Sequence, residues 1–220
     1  MKVVSIAKGR SADALSGEAE GYDPERPIGI QLPERELSGM RKLDGFTRNA
    51  TSDWWADMLA RRTGELAWIG ELAADRVHIV HQAARPEDLV QDLRADGAIP
   101  WCACALGHAI AAGLDHASRE ALLALPASRL TGMTITDPAQ LRHTLALARD
   151  RGYAVEAHGA TLGDAGIAAP VFDPSRRVVA AVGIVGPAER LLSTQHQPDL
   201  VHAVCVTAQA LSEETSSGGY

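Results

Sequence analysis

The sequence predicts a single α/β (α+β) domain of paired strands flanked by helices, preceded by an irregular arm. Three observations predict it. The stretch Arg151–Pro187 opens on a helix-stopping Gly152 and runs through extended pieces Tyr153–His158 and Ile167–Phe172. It turns at Asp173-Pro174-Ser175 and closes on the apolar run Val178–Val185. Leu66–Glu71 and Arg76–His81 make a second pair of strand-like runs around a short polar turn containing Asp75. The remaining apolar residues fall mostly into helical stripes with caps.

Taken in order, residues 1–50 hold eight basic and eight acidic side chains and no net charge, and Pro24, Pro27 and Pro33 interrupt every window. No DNA-reading helix-turn-helix is expected there. An irregular arm is, resting on the domain through Ile28, Ile30 and Leu32. Asn49-Ala50-Thr51 is a formal glycosylation sequon with no secretory signal to give it meaning. A helix is expected from a cap near Ser52, with Trp54, Trp55, Met58 and Leu59 as its apolar stripe and Thr63-Gly64 as its stop. Both tryptophans read as core or interface residues. In the hairpin that follows, alternation puts Val77, Ile79 and His81 on one face and His78 and Val80 on the other.

Residues 83–97 are ambiguous, although Leu89, Val90 and Leu93 suit a helix. After Ile99-Pro100, small residues open a short helix that ends at Gly113. A second helix covers roughly Ala117–Leu125, with Asp115 as cap and Leu122 and Leu123 buried. A third begins with Asp137 as cap, Pro138 in the first turn and Gln140 at the capping-box position, and buries Leu141, Leu145 and Ala148. The last follows Pro198, buries Leu200, Val201, Val204, Ala208 and Leu211, and leaves residues 215–220 as a disordered, frayed tail.

With 220 residues, 46% of them hydrophobic, the chain can bury one sizeable core. The net charge of −7 argues against an isolated nucleic-acid binder. The longest apolar run, Val178–Gly186, is far short of the roughly 20 residues a spanning helix needs, so no membrane contact is expected. MKVVSIAKG lacks the apolar stretch of a secretory signal, which makes the cytoplasm the expected compartment and free thiols the expected state of the three cysteines.

The phrases RGYAVE, GIAAPVFD and VVAAVGIVGP resemble the C-terminal effector-binding domain of the IclR family of bacterial transcriptional regulators. ALGHAIAAGLDHASREALLAL, ITDPAQLRHTLALARDRGY and RRTGELAWIGELAADRVHIV extend the resemblance over residues 52 to 214. It implies a GAF-like sheet closing over a small organic acid, an effector-binding domain at residues 51–214, and extended structure within residues 83–97. It also implies a homodimer or tetramer, in which a ligand acts by shifting subunit arrangement. Without a visible DNA-binding half, the expected route to transcription is oligomerisation or pairing with a full-length regulator of the same type. No cofactor is implied.

The resemblance further implies a site made of Ile99, the helix-start amides of Ala105 and Leu106, and Glu156, Gly166, Gly183 and Val185. Unpaired N–H groups at a helix N-terminus suit a carboxylate. The acidic position is kept as Glu156, while a thiol or hydroxyl before the IAAP phrase and two hydroxyls on the next strand are replaced by Gly166, Gly183 and Val185. Glycines are expected to widen the cavity and Val185 to make one side apolar, so the expected ligand is larger and less polar than a two- or three-carbon keto acid, such as an aromatic or alicyclic acid. The competing constellation is Cys102, Cys104 and His108, with His78 and His81 on a nearby hairpin. Thiolates and imidazoles are zinc ligands, and a thiol beside an imidazole is a candidate nucleophile, but C-x-C-x3-H matches no common structural-zinc spacing. The expectation is that these side chains pack the neck of the pocket; a small metal- or thiol-dependent enzyme is the alternative.

Overall fold

In the computed structural model, residues 46–83 and 98–217 are described, and all of them belong to one unit, Leu37–Tyr220. Residues 1–45 of the expected arm and residues 84–97 of the ambiguous segment lie outside the described residues. So do residues 218–220 of the expected tail.

The first helix, α1 (Ala50–Thr63), starts two residues before Ser52. Asn49 is the cap: its side chain accepts the Ser52 amide at 2.8 Å while Ser52 Oγ accepts the Asn49 amide at 3.0 Å. Ser52 is therefore the third helical residue of a capping box rather than the cap. Gly64, at φ 70, ends the helix as expected.

Strands β1 (Leu66–Ala73) and β2 (Arg76–Ala83) form the expected hairpin, turning through Ala74 at φ 54. The register slips between Ile69 and Gly70, so Ile69 pairs with His81 but Gly70 pairs with Ile79, and Val80 is the extra residue. This bulge overturns the simple alternation. His81 lies on the α1 face, 3.2 Å from Asp53 and 3.5 Å from Asp57, while Val77 and Ile79 pack on the opposite face.

A short strand β3 (Ala98–Pro100) pairs with β2 and leads through a 3-10 turn, Trp101–Ala103, into α2 (Ala105–Gly113). The helices α3 (His116–Ala124) and α4 (Pro138–Arg151) follow, capped by Asp115 and Asp137 and burying the expected leucines. Strands β4 (Ala154–Ala157), β5 (Asp164–Phe172) and β6 (Val178–Pro187) complete a six-stranded, wholly antiparallel sheet in the order β3-β2-β1-β6-β5-β4. A one-turn α5 (Ala188–Leu191) precedes α6 (Gln197–Ser217). The last helix starts before Pro198 and runs into the segment expected as tail, where Thr215 Oγ1 donates to the Phe172 carbonyl at 2.9 Å.

Alternation along β5 and β6 divides the core in two. Ile167, Ala169, Val182 and Ile184 face α1 and α6, whereas Ala168 and Ala181 face α2. Every residue of α2 from Ala105 to Ala112 is buried, so this helix lies under the sheet with α4 beyond it. A helix apolar all round has no solvent face to keep.

Candidate ligand-binding site

The start of α2 is built by close approach. A Cβ on Gly107 would fall on the Trp101 carbonyl, so only glycine lets the 3-10 turn fold back on the helix. Cys104 is the cap, its Sγ accepting the Gly107 amide at 3.4 Å. Ala105 and Leu106 carry the first amides that a helix leaves without intrahelical partners. These two residues are 5% and 2% exposed, so the positive end of the helix acts in surroundings of low polarity.

Opposite this turn the sheet presents a cross-strand row. Glu156 pairs with Gly166, Gly166 with Val185, and Val185 with Leu66. A Cβ on Gly166 would lie 3.1 Å from the Ala105 Cβ, which places the row directly against the helix start. Gly183 belongs to the adjacent row, paired with Ala168 and Trp68. Neither glycine opens a cavity, contrary to expectation: at Gly166 the space holds Ala105, and at Gly183 a Cβ would be 2.7 Å from that of Ala168 and 2.6 Å from the Ile167 carbonyl. The missing side chains let α2 and β5 close in.

Glu156, Gly166, Val185 and Ala105 are thus brought together, with Gly183 one row away. The Leu106 side chain points elsewhere, to 3.2 Å from a Cβ on Gly70 in β1. Ile99 pairs with Val77 at the opposite edge of the sheet from Glu156, though it packs against the same core as α2.

Glu156 is the charged member of the row. Its Oε1 accepts the Gly159 amide at 2.5 Å, and burial pushes its carboxyl up to about 7 against the opposing pull of that N–H. Two threonines that sequence reasoning missed hold the loop. Thr134, 3% exposed, donates to the Gly159 carbonyl at 2.7 Å, and Thr131 donates to the His158 carbonyl at 2.6 Å. The TGMTIT stretch had the composition of a hydroxyl-anchored turn, but its partners lie 25 and 27 residues away. Beyond Glu156 a cavity of about 250 Å³ runs between β4 and α4, bordered by His108, Met133, Ile135 and Leu147.

The cysteine and histidine side chains do not converge on a metal, and no group of three or more potential ligands exists among the described residues. Cys102 Sγ is 3.5 Å from the Ser128 carbonyl, and His108 Nε2 is 3.0 Å from the Cys102 carbonyl. Burial pushes the Cys104 thiol up to about 12 and the His108 imidazole down to about 4, so neither a thiolate nor an imidazolium is available at neutral pH. His81 is engaged with α1 on the other face.

The family model for the bacterial transcriptional regulator IclR C-terminal domain matches residues 47–213. The chain belongs to the IclR family. A glycerol operon regulatory protein of Streptomyces griseus is 36% identical to this IclR-family chain over 99% of its length and 87% of the relative's own. Among solved structures, a transcriptional regulator from Rhodococcus sp. RHA1 superposes with a TM-score of 0.70 at 24% identity, covering 80% of this chain and 72% of that one. The inducer-binding domain of the PobR transcription factor from Acinetobacter, a double mutant in complex with 3-hydroxybenzoic acid, superposes with a TM-score of 0.67 at 22% identity, covering 76% of this chain and 98% of that one. The expected fold class is thereby established: a mixed α/β IclR effector-binding domain with an antiparallel six-stranded sheet. This IclR-family chain is a transcriptional regulator with a ligand-binding C-terminal domain, and the enzyme alternative has no support among its relatives. No described helix is long and apolar enough to cross a membrane.

Proposed function

We propose that this domain senses a small organic acid whose carboxylate sits on the amides of Ala105 and Leu106, with a polar tail group near Glu156. The observation that carries the reading is the register row Glu156, Gly166, Val185 packed against the start of α2, where a Cβ added at Gly166 would stand only 3.1 Å from the Ala105 Cβ. A helix N-terminus attracts an anion, and the row supplies one polar and one apolar wall beside it. Val185 and the absence of strand hydroxyls favour an aromatic or alicyclic acid over a two- or three-carbon keto acid. The cavity beyond Glu156 gives room to the tail of such a ligand and not to its carboxylate, since its lining includes Glu156 but neither Ala105 nor Leu106.

Binding would act on transcription in the cytoplasm by shifting the subunit arrangement of a homodimer or tetramer, or of an assembly with a full-length IclR-type regulator. Such a ligand must bind one arrangement more tightly than the other. Direct contact with nucleic acid is not assigned to the described residues.

The test is a thermal-shift screen of the purified chain against benzoate, cyclohexanecarboxylate, glyoxylate, pyruvate and glycerol 3-phosphate. The last is included because the Streptomyces griseus relative is named for a glycerol operon and phosphate also suits a helix N-terminus. At about 100 times the dissociation constant, binding to the folded state adds about 2.7 kcal/mol. A shift with benzoate or cyclohexanecarboxylate, lost in Glu156→Ala and in Gly166→Val, is expected. Stabilisation that survives both substitutions places the site elsewhere, and silence across the panel overturns the acid reading.

A further inference from the structure

His108 lies on the buried side of α2, 1% exposed, and borders the 250 Å³ cavity together with Cys102 and Glu156. Its Nε2 is 3.0 Å from the Cys102 carbonyl oxygen. A carbonyl can only accept, so Nε2 carries the ring proton and Nδ1 presents a bare lone pair. That Nδ1 is buried and has no hydrogen-bond partner among the described residues. A buried acceptor left unmade costs free energy comparable to a lost hydrogen bond, and here the missing partner must be a donor. The cavity walls state the rest of the ligand chemistry. Met133, Ile135 and Leu147 supply apolar surface, and Thr144 and Glu156 supply further polar groups on the same lining. Arg151 is the cation at its border.

We infer that this cavity is a second subsite that binds a hydroxyl group carried on a compact carbon skeleton, the O–H donating to His108 Nδ1. An ether or halide of the same shape offers no donor and leaves the imidazole unpaired. The subsite adjoins the proposed acid site at Glu156, and rests on that reading only where it makes the hydroxyl the tail of the same ligand.

The experiment uses probes without an acid group, so its failure is separable from failure of the acid screen. Phenol and its methyl ether anisole are titrated into the 15N-labelled full chain, and the ring nitrogens of His108 are followed by long-range proton–nitrogen correlation. Cyclohexanol against methoxycyclohexane repeats the comparison for an alicyclic carrier. The expected result is saturable binding of the hydroxyl compound, movement of the His108 Nδ1 resonance, and about tenfold weaker binding of the ether. Equal binding of alcohol and ether, no saturable binding of either alcohol, or an Nδ1 resonance that stays in place overturns the subsite. His108→Leu is expected to abolish the preference for hydroxyl over ether. Should that variant fail to fold, Leu147→Trp, on the partly exposed wall of the cavity, must lose phenol binding, and retention of it overturns the inference.

Discussion

The Glu156 carboxyl and the Gly159 amide, three residues apart, close a 2.5 Å hydrogen bond at the edge of the sheet. This bond does not offset the burial of the carboxylate, whose pKa stands at about 7 against an ordinary 4.5. An acid with a raised folded-state pKa binds more protons folded than unfolded between those two values. Its contribution to stability is therefore full below about pH 4.5 and falls as pH rises toward 7. Glu156→Gln keeps an acceptor for Gly159 and removes the charge. The variant is expected to match the parent at pH 4.5 and to exceed it at pH 8 by about 1–2 kcal/mol, a few degrees in melting temperature. Thermal melts of both proteins across this range check it; parallel curves would sink the assignment.

Gly166 and Ala105 should be energetically coupled. A Cβ at Gly166 lies 3.1 Å from that of Ala105, so Gly166→Ala is expected to cost about 1–2 kcal/mol. Ala105→Gly should recover part of that loss. A double-mutant cycle in urea reads the coupling, expected at about 0.5–1 kcal/mol. Additive effects would mean that the helix start does not rest on the strand.

Thr134 carries more than its size suggests. Its hydroxyl donates to the Gly159 carbonyl and accepts from the Leu130 and Thr131 amides at 3.1 and 2.9 Å. Thr134→Val leaves these groups unpaired in a buried place and is expected to cost about 2–3 kcal/mol. Hydrogen exchange should speed up at Leu130 and Thr131 and spare the β1–β6 pairing.

The cysteines around α2 are expected to be inert. With the Cys104 thiol pushed up to about 12 and Cys102 also raised by burial, a disulfide reagent at pH 8 should leave both unmodified in the folded chain and label them on unfolding. Zinc should leave the melting temperature unchanged. Rapid labelling of Cys104, or a large zinc-dependent shift, would reinstate the cysteine and histidine cluster as a functional centre.

Legibility in the sequence followed the range of each signal. The helix α4 could be read to the residue because Asp137, Pro138 and the apolar spacing act within one or two turns. The start of α1 was misplaced because Ser52 bonds in the capping box just as a cap would, and only geometry separates it from Asn49. His81 was put on the wrong face because a one-residue bulge reverses parity, and no composition marks Val80 as the extra residue. The three residues of β3 are too few to show any period. At the proposed site, the resemblance named Glu156, Gly166, Gly183 and Val185 but not the strand register that sets three of them in one row, and the glycines were misjudged, since what fills the space opposite them comes from other elements.

The position of β1 carries a consequence for how the protein is made. One edge of this strand is satisfied at once by its hairpin partner β2, but the other waits for β6, with Leu66 pairing to Val185 across 119 residues (185 − 66). During synthesis at about 5–20 residues per second, the nascent hairpin must wait several seconds with an open apolar edge. Closure of such a distant contact is slow by nature. A chain interrupted before β6 leaves that edge of β1 unpaired, so such a fragment is expected to aggregate or be degraded.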